Sequence, residues 1–183
     1  MLNSNDTFTE SIKDAENLLS HFQTLNPHPP PDELEVLKRA GLIMAMTAWE
    51  PYVEDRLYEL TTQRLEQLSD QTTVDFIAHR LETELKQLHN PDSSKTITLF
   101  REYTGVDLED GWHWNNFDLC TVKARLNGYL KLRGDVVHRS RVASSESPRA
   151  HPVTKDELEK AISFLKHLVD ATERAIDAQI GAD

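Results

Sequence analysis

The sequence predicts an all-α fold: a helical bundle of about five to six helices, one of them long and kinked. Three observations carry this reading. Apolar residues recur at helical spacing in every long segment, β-branched runs are almost absent, and glycine, at six residues, is scarce. Hydrophobic residues at 38% beside charged residues at 28% suit helices with one buried face better than a thick sheet sandwich. With 183 residues, one domain spanning 1–183 is expected, long enough to bury a real core.

Each element has its own signal. Phe8, Ile12, Ala15, Leu18, Leu19, Phe22 and Leu25 place a first helix over about 7–25. Asn26-Pro27-His28-Pro29-Pro30-Pro31 stops it in a stiff turn. A second helix opens at Asp32 and carries Leu34, Leu37, Leu42, Met46, Trp49, Val53, Leu57, Leu60 and Leu65, reaching about Leu68. Pro51 inside it is expected to kink or split it. A shorter helix covers roughly 74–88 and ends at Asn90-Pro91. Asp92 or Ser93 caps another near 94–104, with Gly105 as its C-terminal stop. Residues 106–117, with Trp112, His113 and Trp114, read as an aromatic loop whose indoles either stack on bases or buttress the core. Asp118 caps the next helix, which extends to about His138. Residues 140–152 read as a polar, mobile loop. Thr154-Lys155-Asp156-Glu157 is a capping box that opens a final helix, 154–180.

Charge narrows the functional classes. The chain carries a formal charge of −11, yet between Thr121 and Arg149 seven cations face two anions, a net +5. Overall acidity argues against broad nucleic-acid coating, while a local basic strip is what a phosphate-binding surface on a repulsive body looks like. A solvated, charge-rich helix and loop is the plainer reading of the same strip. No basic-then-apolar leader is visible at the start. The longest apolar run, Leu42 to Trp49, is broken by Thr47 and far short of the roughly 20 residues a membrane helix needs. A cytoplasmic protein without a membrane segment is therefore expected. The single Cys120 allows no internal disulfide and is expected as a small core residue. The eight histidines show no metal spacing such as HExxH, so neither metal nor cofactor is expected.

One six-residue stretch, Arg133-Gly134-Asp135-Val136-Val137-His138, departs from this plain pattern. On its helix, Leu119, Val122, Leu126, Leu130 and Val137 form the expected buried stripe, and Arg133 falls inside it. An unpaired buried guanidinium costs several kcal/mol. Arg133 must therefore meet a carboxylate, a carbonyl cluster, a subunit interface or a bound anion, and Glu50 and Glu54 are candidate acceptors. His138, five residues on, lies about 140° round a straight helix from Arg133. A site using both requires a local break, for which Gly134 is suited, or a second copy of the chain.

The segments "MAMTAWEPYVEDRLYEL" and "LNGYLKLRGDVVHRS", within about 35–140 of an all-α chain, resemble the HEPN superfamily, whose signature is Arg, four to six residues, then His. The long glutamate-bearing helix, followed much later by a Trp-containing loop and the signature, looks like the RiboL-PSP-HEPN branch. This resemblance implies a homodimer with Arg/His pairs converging in a cleft. Many such proteins are metal-independent ribonucleases, often toxins or defence effectors countered by a neutralising antitoxin-type protein. Others only bind RNA or a protein partner. Carried over, Arg133 and His138 match the signature and Glu50 the acidic position of the second helix. Members commonly have Asn, Asp or His directly after the arginine, where this chain has Gly134, with a supporting Asp135 one place later. Lys131, Arg139 and Arg141 are the cations expected to contact RNA. The chemistry is coherent. Histidine exchanges protons near neutrality, and arginine braces phosphate oxygens as charge builds on them.

Overall fold

The computed structural model describes residues 3–25, 32–139 and 153–180. Six helices occupy them: α1 (Ser4–Leu25), α2 (Glu35–Leu65), α3 (Gln71–Lys86), α4 (Ser93–Thr104), α5 (Leu119–Arg139) and α6 (Lys155–Ile180). Short 3-10 turns at Asp32–Leu34 and Leu108–Asp110 precede α2 and follow α4. There is no strand among the described residues; a lone bridge joins Trp114 to Phe117. The expected turn at 26–31 and loop at 140–152 lie outside the described residues.

The helix starts follow local chemistry. The Asp70 carboxylate accepts from the Thr72 and Thr73 N–H groups and opens α3, a turn earlier than apolar spacing alone suggests. Asp92, rather than Ser93, caps α4 by accepting from Lys95 N. Asp118 accepts from Thr121 N at 2.7 Å ahead of α5. Thr154 Oγ1 accepts from Glu157 N at 3.1 Å at the head of α6. Gly105 ends α4 at φ 70°, a left-handed position that costs glycine no Cβ clash.

α1 lies along α2 in the most extensive helix pairing, and α6 crosses both. Phe8, Ile12, Ala15 and Phe22 of α1 and Trp49, Tyr52, Val53 and Leu57 of α2 are buried, as are Leu158, Leu165 and Leu168 of α6. A polar clamp crosses this seam. Arg56 donates from Nε and Nη2 to the two Glu173 carboxylate oxygens at 3.0 and 2.7 Å, and the Tyr52 hydroxyl donates to the same group at 2.7 Å. Desolvation, then the Glu173 charge, pushes the Tyr52 phenol well above its ordinary range.

Three expectations are corrected. Pro51 does not split the second helix, because α2 runs unbroken from Glu35 to Leu65 while the buried Trp49, Tyr52 and Val53 hold the turn around it. Cys120 is exposed rather than core, since it sits about 160° round α5 from the buried Val122. Val137 is 43% exposed, because the true stripe of α5 is Val122, Leu126, Tyr129 and Val136, with Leu119 and Leu130 only partly buried on its flank.

The aromatic loop divides. Trp112 is fully buried, and its Nε1 donates to Thr172 Oγ1 at 3.0 Å, so this indole buttresses the core. Trp114 is half-buried and stacks on the Phe117 ring at 5.2 Å and the His167 ring at 6.1 Å. Gly111 permits this loop to touch α6, for a Cβ there would lie 2.3 Å from the Ala175 Cβ.

Candidate functional site

Val122, Leu126, Tyr129 and Val136 all lie within about 40° of one line along α5, and Arg133 falls on that line. The side chain is half-buried. Its Nη1 donates to Asn90 Oδ1 in the loop between α3 and α4. Among the described residues Arg133 makes no ion pair with Glu50 or Glu54, the candidate acceptors, and meets a neutral amide instead. Glu50 joins one step further on, its Oε2 accepting from Asn90 N at 2.8 Å. The chain of contacts is therefore Glu50, Asn90, Arg133.

The loop carrying Asn90 is pinned from several sides. Trp49 Nε1 donates to the Pro91 carbonyl at 3.0 Å in the buried interior, and Ser93 N donates to Asn127 Oδ1 of α5 at 3.0 Å. Asn90 itself holds φ 50°, a left-handed conformation that asparagine tolerates better than most residues. The turn presents His89 beside Glu50, with Nδ1 3.9 Å from Oε1 and the imidazole side chain 77% exposed. Glu54, one turn along α2, has its carboxyl raised above the ordinary range by burial first, then by Glu50 and Asp55, with His89 opposing.

Sequence reasoning missed His89 and Asn90. The Asn90-Pro91 pair reads in sequence as a helix stop, and its approach to Arg133 spans 43 positions. The signal available was weak: an asparagine before proline, suited to a tight turn.

The remaining expected residues distribute as follows. α5 is continuous through Gly134 to Arg139, so no local break brings positions 133 and 138 together, and about 140° separates them. The side chains of His138 and Arg139, and Arg141 altogether, lie outside the described residues. Lys131 is exposed. With Asp135, Arg125, Gly128 and Glu157 it lines an open groove of about 650 Å³ between α5 and the start of α6. The basic strip is partly neutralised, because Lys123 Nζ lies 3.0 Å from Glu109 Oε1. That carboxyl is lowered, chiefly by Lys123 and then by Arg101. Among the described residues no three His, Cys, Asp or Glu side chains converge as metal ligands, and no described helix is long and apolar enough to cross a membrane.

Among the described residues the chain folds into six helices, with an arginine on the inner line of the fifth tied through a loop to a glutamate of the long second helix. The family model RiboL-PSP-HEPN matches residues 7–178, and the chain belongs to that HEPN family. The match extends past 35–140 to take in most of α1 and nearly all of α6. No curated protein and no solved structure matches the chain.

Proposed function

We propose that this protein is a metal-independent endoribonuclease of HEPN type, acting as a homodimer on single-stranded or loop RNA. Arg133 is the phosphate brace and His138 a proton-transfer group. The observation that carries the reading is the Arg133 contact. A half-buried guanidinium whose described partner is the neutral Asn90 amide keeps its full charge for a phosphate. In a dimer, His138 of one copy faces Arg133 of the other, which removes the 140° obstacle on the unbroken α5. Attack by the ribose 2′-hydroxyl on the adjacent phosphorus needs no metal and leaves a 2′,3′-cyclic phosphate. In a defence or toxin setting, a neutralising partner protein would hold the enzyme silent.

The test incubates wild type and His138→Ala with a mixed RNA pool in EDTA. Wild type cleaves and leaves cyclic phosphate ends, while His138→Ala loses cleavage by about 100-fold or more and keeps its fold. Equal activity in both, or a requirement for magnesium, removes the mechanism. A second reading, an inactive RNA- or protein-binding module, is favoured by Gly134 standing where members carry a polar residue. It predicts RNA binding without cleavage in the same assay.

A further inference from the structure

In-line cleavage of RNA moves two protons, one off the attacking 2′-hydroxyl and one onto the leaving 5′-oxygen. The Arg133/His138 signature supplies one histidine per chain. The structure carries a second histidine, His89, in the turn whose Asn90 contacts this arginine. His89 and Asn90 are neighbours in one pinned turn; Asn90 Oδ1 accepts from Arg133, and His89 Nδ1 lies 3.9 Å from Glu50 Oε1. Three features distinguish this imidazole from an incidental surface histidine. It is carried in a turn fixed from both sides, by Trp49 Nε1 donating to the Pro91 carbonyl and Asn90 N donating to Glu50. It faces a carboxylate that is itself fixed by a backbone N–H at 2.8 Å. It is 77% exposed and so open to a polymeric substrate.

We propose that His89 is the catalytic base of this site, working with Arg133 of its own chain, and that Glu50 is its positioning residue. The inference rests on the ribonuclease reading above and adds a residue to it. The His89 ring takes the 2′-hydroxyl proton as O2′ bonds to phosphorus. The Glu50 carboxylate faces the positive charge the ring gains. Arg133 braces the non-bridging oxygens as charge builds on them. The P–O5′ bond breaks, and the departing oxygen takes its proton from His138 acting as acid. The products are a 2′,3′-cyclic phosphate and a 5′-hydroxyl. One imidazole ends protonated and the other neutral, and solvent exchange restores both.

The experiment compares wild type, His89→Ala and Glu50→Gln on single-stranded RNA in EDTA. Three readouts accompany the rate: binding of a 2′-O-methyl RNA of the same sequence, the thermal midpoint, and recovery on adding free imidazole. His89→Ala lowers the cleavage rate about 100-fold or more, the usual worth of a positioned base. It binds the methylated RNA as wild type does, melts at the same temperature because the side chain is exposed, and regains part of its rate with imidazole. Glu50→Gln lowers the rate less. Wild-type cleavage in His89→Ala overturns the inference and leaves the ribonuclease reading standing. So does a loss that comes with weakened binding, a lowered midpoint or no response to imidazole. An inactive wild type overturns both together.

Discussion

Gly134 stands in the interior of α5, and a Cβ added there meets nothing within 4 Å. Packing therefore does not require glycine, and in a helix interior glycine is less stable than alanine by roughly 0.5–1 kcal/mol. Gly134→Ala is expected to raise unfolding stability by about that amount, read as a higher midpoint in urea; a fall would reveal a backbone demand at 134 that the helix does not display. Arg133, one residue earlier, was legible in sequence as an arginine on an apolar stripe, because helical spacing alone fixes its angle. Its partner was not. Glu50 and Glu54 were the natural guesses for a guanidinium, and the observed acceptor is an amide in a loop 43 positions away.

At the scale of elements, α2 gathers Glu50 and Glu54 on the side that faces His89. Burial and the Glu50 charge hold the Glu54 carboxyl above its ordinary value. The sign follows from proton uptake. Above the folded-state value the carboxyl is ionised in both states and its charge opposes folding. As pH falls through that value the folded protein takes up the proton first, and the penalty disappears. Glu54→Gln is thus expected to raise the thermal midpoint near neutral pH and to change nothing below about pH 4, where the carboxyl is protonated in both states. Paired melts at the two pH values check this, and an equal shift at both would trace the effect to packing instead. α5 and the loop before α4 act as one unit here, since Arg133 to Asn90 and Asn127 to Ser93 fasten them at two points.

For the whole molecule, the dimer is the prediction with the widest consequence. Light scattering at micromolar concentration is expected to give twice the 21.0 kDa chain mass, and a clean monomer removes any site shared between copies. RNA affinity is expected to fall steeply as salt rises, since neutralising phosphates releases counterions. Lys131→Glu combined with Arg139→Glu is expected to weaken binding further and flatten the salt slope. Filter binding across a salt series measures both, and an affinity indifferent to salt and to the reversals would move the RNA surface off this strip. Lys123 is expected to matter less, its charge being met by Glu109 at 3.0 Å.

The sequence by itself determined the helices to within about a turn, the caps at Asp118 and Thr154, the stop at Gly105, the family, and the angular separation of positions 133 and 138. All of these depend on residue type and on spacing within one element, which the chain order carries directly. Tertiary structure alone decided that α2 runs through Pro51, that Trp112 is core while Trp114 reaches the surface, and that Asn90 bridges Glu50 and Arg133 with His89 beside Glu50. These depend on which distant residues meet. Loops such as 88–92 have no periodicity to announce their direction, and only the packing of α2, α4 and α5 around them gives them one.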